Sequence, residues 1–286
     1  MTKVCRFLIS KKTKRIGLLF GENHVLDLTA GGVRNLTSLL ENENLPEIIA
    51  RLKKGKLPRY PLDQIKLLTP IERQEIWAAG VTYLRSKKAR MVESPFSADA
   101  YNRVYHAKRP EIFFKSLPEK VVGPEEPVGI RMDAKWNVPE PELALVINSR
   151  GSIVGYTIGN DMSSRDIEGE NLLYLPQAKI YHRSCAIGPY IAVGCGEREP
   201  RTWRIELKII REKEIIFEGQ TSVNRMKRSF KELVNYLYRC QIFPHGAVLL
   251  TGTGIVPGDE FNLKPKDKII IKIDGIGVLE NPVIQV

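Results

Sequence analysis

The sequence predicts an α+β fold dominated by strands, with a small α+β unit ahead of a larger β-rich domain. Two observations carry this. After residue 65 the chain is mostly short β-branched runs broken by Gly and Pro, and before it strand-like runs alternate with helix-like ones. At 286 residues, with 43% hydrophobic and 27% charged residues, the chain can bury a sizeable core, and its composition is that of a globular protein. No apolar run reaches the roughly 18 residues that a membrane-spanning helix needs.

In chain order, VCRFLI, RIGLLF and HVLDLT read as strands, and NLTSLLEN and PEIIARLKKG as helices. Thr37 and Ser38 are candidate caps for the first helix, and Pro46 suits the first turn of the second. KKGKLPRYPLDQ reads as a linker, which sets domains of residues 1–64 and 65–286. Beyond it, IWAAGVTY, IFFK, ELALVIN, SIVGYTIG, YIAVG, RIELKIIRE, KEIIFEGQT, AVLLTGTG and KIIIKIDGIGVLE read as strands. Helices are expected over SKKARMVE with SADAYNRVYHAK, and over SFKELVNYLYRC, where Phe230, Leu233, Val234 and Leu237 fall at helical spacing.

The formal charge of +11 would attract polyanions. Its basic residues are spread over KKTKR, RLKKGK, RSKKAR and KPKDK without interleaved aromatics, which fits a solvated surface and no nucleic-acid partner. A small anionic substrate would still feel that field. Cys5, Cys185, Cys195 and Cys240 lie far apart with no CxxC pair, which argues against a zinc site or a disulfide framework and for buried free thiols. The basic N-terminus has neither a long apolar stretch nor a small-residue cleavage site, so no signal peptide and a cytoplasmic location are expected.

The stretch VPEPELALVI places Glu140 and Glu142 on one face of a strand together with Ala144 and Val146. Two carboxylates this close require solvent, a raised pKa or a cation. SRGS followed by SIVGYTIGNDMSSRD reads as the return strand of a hairpin. A two-residue loop at Arg150-Gly151 sets Glu140 opposite Asp161 and Glu142 opposite Gly159, which would leave space beside the cluster. Three convergent oxygen ligands without Cys or His suit a hard divalent cation, Mg²⁺ first, with Mn²⁺ or Ca²⁺ as alternatives.

Taken in order, PEPELALVI, YTIGNDMSSRD, Lys179 ahead of CAIGPYI, LLTGTGIVPGDEF and IDGIGVLENPV resemble the fumarylacetoacetate hydrolase family over roughly residues 65 to 286. The resemblance implies a distorted, mixed-sheet β-roll behind a small N-terminal domain, a divalent metal held by Glu140, Glu142 and Asp161, and a homo-oligomer, dimer or tetramer. Hydrolytic members carry a stretch like NYxxHxxE. Here TYLRSKKA stands in its place, with Ser86 where the His would be and Ala89 where the Glu would be. A serine cannot replace imidazole as a base near neutral pH. GVTYLRSKKAR, KWNVPEPELALV and TGTGIVPGDEF instead resemble the branch that dehydrates 2-keto-3-deoxy sugar acids, which implies conversion of a 2-keto-3-deoxypentonate to 2-oxoglutarate semialdehyde in pentose oxidation.

For that chemistry a 2-keto acid offers two oxygens to one cation, which acidifies its C3 protons. Lys179 is the candidate base, since an ammonium beside a divalent cation loses its proton more readily; the alternative is a charge partner for carboxylate or substrate. Ser86 is a candidate for assisting the departing hydroxyl, and Arg85 and Thr253 for binding the substrate carboxylate. His106 and His182 read as packing or surface residues, Tyr83 as packing, and Asp166 as a buttress of the metal-bearing loop. Two other classes stay open: a hydrolase or decarboxylase/isomerase of acylpyruvate or dienedioate substrates, and a non-catalytic sugar-acid or nucleic-acid binding protein.

Overall fold

The apolar runs form two stacked sheets. The computed structural model describes residues 1–10, 13–84 and 98–286; the expected helix over SKKARMVE lies outside them, as do Arg85 and Ser86. One sheet has eleven strands. It begins with β1 (Thr2–Leu8), β2 (Lys14–Phe20), β3 (His24–Asp27) and β4 (Arg59–Pro61), with β5 (Lys66–Leu68) also paired to β1. On its other side β1 pairs with β13 (Cys185–Val193), which leads through β11 (Ile153–Asp161), β10 (Pro141–Ile147), β16 (Ala247–Leu250) and β6 (Glu75–Gly80) to β7 (Glu111–Ser116). The second sheet runs β15 (Glu214–Ser222), β14 (Arg204–Arg211), β17 (Lys268–Ile273), β18 (Gly277–Gln285) and β8 (Val128–Ile130). Parallel pairing of β16 with β6 and of β18 with β8 makes both sheets mixed. A short ladder joins β9 (Asn137–Val138) to β12 (Ser163–Ser164).

The first 64 residues thus share a sheet with the rest of the chain. KKGKLPRYPLDQ, which reads as a linker, contains β4, hydrogen-bonded to β3. Helices α1 (Leu36–Leu40) and α2 (Leu45–Lys54) place Leu36, Leu39, Leu40, Leu45, Ile49 and Leu52 against one face of the large sheet, with Ala144, Val146, Ile187 and Leu250. The cap of α1 is Asn35 rather than Thr37 or Ser38: its side chain accepts from the Ser38 N–H, while Thr37 bonds to Glu72. Asn is as good a cap, and Thr37 is drawn inward by the half-buried Glu72 carboxylate.

The opposite face packs on the second sheet, Leu143, Leu145, Tyr156 and Ile158 meeting Ile205, Leu207, Ile271 and Leu279, with helix α6 (Phe230–Tyr238) closing the core through the four apolar residues of its predicted face. Because β10, β11 and β13 are covered on both faces, they read as nearly continuous apolar runs instead of alternating ones. Among the described residues the remaining α-helices are α3 (Ala98–His106), α4 (Arg165–Glu170) and α5 (Leu175–Lys179).

The β10–β11 hairpin has the expected register at its carboxylate end and a different turn. Glu142 pairs with Gly159, and the Asp161 N–H donates to the Glu140 carbonyl at 3.0 Å. At the turn, Asn148 N–H bonds to Ser152 O, so the loop is Ser149-Arg150-Gly151, with Gly151 at φ +77°. A three-residue loop slips the register by one. The slip is undone by a bulge, because Ile147 pairs with Ile153 while Val146 pairs with Gly155, leaving Val154 extra on β11.

Gly159 does not leave space for the cluster. A Cβ there would collide with the Leu250 side chain and touch Ile187, so Leu250 lies over the glycine. Gly159→Ala should therefore destabilise the protein by about 1–3 kcal/mol through overpacking, measured as a lowered denaturation midpoint; an unchanged midpoint would mean that Leu250 yields freely.

Candidate metal and lyase site

Pro141, which lacks an N–H, opens β10 between the two glutamates. After Asp161 the chain turns back so that Ser163 and Ser164 pair with Val138 and Asn137, and α4 starts immediately afterwards. This folds Glu140, Glu142 and Asp161 together, 3%, 1% and 1% exposed, with one carboxylate oxygen of each within 4.8 Å of the others.

Cations surround the triad. Lys179, the last residue of α5 and fully buried, reaches Glu140 Oε2 at 2.7 Å, Asp161 Oδ2 at 3.1 Å and Ser163 Oγ at 2.5 Å. Arg165 donates to Glu140 Oε1 at 2.6 Å and to Glu168 Oε2 at 3.2 Å. Lys115, on β7, lies 2.5 Å from Asp161 Oδ1 and bonds to the Met162 carbonyl at 3.0 Å and to the Lys179 carbonyl. Glu142 has milder company: its Oε2 accepts the Gly252 N–H at 2.5 Å. Burial, then the charges of Asp161 and Glu140, raise its pKa well above the usual carboxylate range, against the opposing pull of Lys179 and the Gly252 N–H.

The donor set fits a divalent cation. Three hard oxygens converge, and at least one is held in its charged form only at a cost that a cation would offset. Gly252 sits at φ +89°, a conformation that glycine tolerates, and a Cβ there would collide with Thr82 Oγ1 and the Ala79 carbonyl. Thr251 fixes the start of this loop by donating both its N–H and its hydroxyl to the Leu143 carbonyl.

Of the residues singled out in the sequence, Glu140, Glu142, Asp161 and Lys179 come together. Thr253 is buried in the loop beyond Gly252, its hydroxyl donating to Ile255 O and accepting from Ile255 N. His106 and His182 are exposed. Tyr83 packs in the core, and burial first, then Glu142, push its phenol pKa up. Tyr83 also lines a cavity of about 940 Å³ with Tyr105, Phe217, Thr221, Arg225 and Gly254. None of the three carboxylates lines that cavity.

Asp166 holds the Lys135 N–H at 2.6 Å, while its neighbour Arg165 is the one that braces Glu140. Lys115, Arg165 and Glu168 are the members that the sequence reading missed. A lysine inside the apolar run EIFFKS was the available signal, since an unpaired ammonium there would be costly. Of the thiols, Cys5 and Cys185 are buried, Cys195 is half-buried and Cys240 is exposed. Arg165→Met would leave Glu140 and Glu168 without their shared cation. It should cost about 3–5 kcal/mol of stability in chemical denaturation, and a loss under 1 kcal/mol would mean that neither glutamate depends on it.

Among the described residues, no helix is long and apolar enough to cross a membrane. A family model described as fumarylacetoacetate (FAA) hydrolase C-terminal matches residues 75–284. The chain is 49% identical over 217 residues to a Haloferax volcanii protein named "Probable 2-keto-3-deoxyxylonate dehydratase", covering 76% of this chain and 74% of that one. It is 43% identical over 230 residues to 2-dehydro-3-deoxy-D-arabinonate dehydratase of Saccharolobus solfataricus, covering 79% and 77%. A solved structure of 2-keto-3-deoxy-D-arabinonate dehydratase, complexed with magnesium and 2,5-dioxopentanoate, superposes with a TM-score of 0.82 at 34% identity over 99% of both chains. With that fold, that buried acidic triad and a match spanning most of its length, the chain belongs to the fumarylacetoacetate hydrolase family.

Proposed function

We propose that the protein is a metal-dependent hydro-lyase that converts a 2-keto-3-deoxypentonate to 2-oxoglutarate semialdehyde, the same compound as 2,5-dioxopentanoate, in pentose degradation. The observation that carries the reading is the buried Lys179 amine, within hydrogen-bond distance of two of the three carboxylates that would hold the cation. The relatives named above support the reaction class.

Glu140, Glu142 and Asp161 would hold Mg²⁺, which when bound polarises the keto group of a 2-keto acid and acidifies its C3 protons. Lys179 Nζ takes a C3 proton, and hydroxide leaves from C4. Loss of a proton from C5 and return of one to C3 give the C4–C5 enol, which becomes the aldehyde as C4 takes a proton and the enol hydroxyl gives one up, so one water is released overall. Glu140, Asp161 and Ser163 orient the amine, and burial keeps bulk water from competing for the proton. Thr253 is assigned to the substrate carboxylate, as is Arg85; Ser86 is assigned to the departing hydroxyl. With serine at the position of the hydrolytic histidine, water activation has no base there.

A homo-oligomer belongs to this reading because the family resemblance implies one. A cytoplasmic location is supported by the four free cysteines.

The test is to strip the protein with a chelator, add 2-keto-3-deoxypentonate, restore Mg²⁺ or Mn²⁺ and follow the semialdehyde in a coupled assay. Cation-dependent product is expected. Metal binding without product would remove the pentonate and turn the search to acylpyruvates. Lys179→Met should lower turnover by at least about 10²-fold while still binding metal, and a variant of near wild-type rate would take Lys179 out of the proton transfer.

A further inference from the structure

Lys115 stands out among the buried charges because the backbone is distorted where it sits. β7 pairs with β6 antiparallel, Trp77 opposite Phe114 and Ile76 opposite Ser116. One residue of β7 between those pairs has no partner on β6, and it is Lys115. A β-bulge of this kind re-aims a side chain that regular alternation would send elsewhere. Here it carries an ammonium, 0% exposed, against Asp161 at the edge of the metal site.

Three oxygens surround that ammonium: it donates to the Met162 carbonyl at 3.0 Å and to the Lys179 carbonyl, and it forms an ion pair with Asp161 Oδ1 at 2.5 Å. They belong to the two halves of the site. Asp161 ends β11, where a metal ligand is presented, and Met162 follows it. The Lys179 carbonyl ends α5, from which the proton-handling amine projects. Clamping Asp161 Oδ1 also fixes the rotation of the carboxylate, so that Oδ2 faces Lys179 Nζ.

We propose that Lys115 is a positioning residue that holds Asp161 and the Lys179 end of α5 in register with each other. It touches neither cation nor substrate and acts through both neighbours. The inference rests on the reading of Asp161 as a metal ligand and Lys179 as the amine that moves protons. It does not require the pentonate to be the substrate.

The experiment is Mn²⁺ titration by calorimetry on wild type, Lys115→Met and Lys115→Arg, followed by steady-state kinetics at saturating metal. Both variants should bind Mn²⁺ about tenfold or more weakly, the usual effect of losing a group that orients a metal ligand. At saturating metal kcat should fall by at least about tenfold while KM changes much less, because the amine is displaced more than the substrate contacts are. Lys115→Met on an Asp161→Asn background should add little further loss of metal affinity. Unchanged or tighter Mn²⁺ binding in a folded Lys115→Met protein would overturn the proposal, since a mere charge competitor of the cation would act in that direction. If Lys115→Met does not fold, Lys115→Arg decides: it keeps the charge and cannot reproduce the three contacts, so wild-type metal affinity in it would equally overturn the proposal. Absence of turnover with the pentonate in every protein, including wild type, would count against the assigned substrate and leave the metal titrations to decide on Lys115.

Discussion

Three carboxylates buried within 4.8 Å of one another are the constraint to which the rest of the site answers. Each loses its hydration on burial and repels the other two, which is why Glu142 is pushed toward its protonated form. Around them the protein buries Lys179, Lys115 and Arg165, with a further carboxylate at Glu168. With every group ionised, four negative charges face three positive ones, and the deficit lies nearest Glu142, whose hydrogen-bond donor is a neutral backbone N–H. A divalent cation at the triad supplies the missing charge.

Holding such a cluster needs backbone that cannot drift. Glu142 and Asp161 project from strands whose opposite surfaces are packed on the second sheet, and Leu250 over Gly159 fills the ground beside them. The exposed turn of the same hairpin tolerates a three-residue loop because the bulge at Val154 restores the register before the carboxylates are reached. Irregularity is placed where it adjusts the site: the bulge at Lys115 brings an ammonium to Asp161, and the left-handed Gly252 brings an N–H to Glu142.

Most of this layout was legible in the chain. The apolar runs gave the strands, helical spacing gave α6, and alternation put Glu140, Glu142 and Asp161 on one surface. The hairpin register at the carboxylates was right although the turn was not, since a looser loop and a bulge shift the register in opposite directions. Short helices α4 and α5 were missed because five or six residues carry too little periodicity, and with them went the inward turn of Arg165. Lys115 was missed because alternation along β7 does not foresee a bulge. The inclusion of the first 64 residues in one sheet was also hidden, because pairing of β1 with β13 joins segments about 190 residues apart, and local pattern is silent on such contacts.

The charge balance also orders the events on the proposed reaction path. The whole chain carries +11, a field that draws in anions, yet with Glu142 ionised the buried cluster is itself negative and would repel a carboxylate approaching it. A divalent cation takes the cluster from one negative unit to one positive unit, the complement of a mono-anionic 2-keto acid. The same residues thus attract the cation first and admit the anion only afterwards. Lys179 takes part in both states: before the cation arrives it bridges Glu140 and Asp161, and once their charge is shared with a metal its amine is freer to exchange a proton. A buried lysine among carboxylates serves on this account as a counter-ion when the site is empty and as the proton-handling group when it is filled.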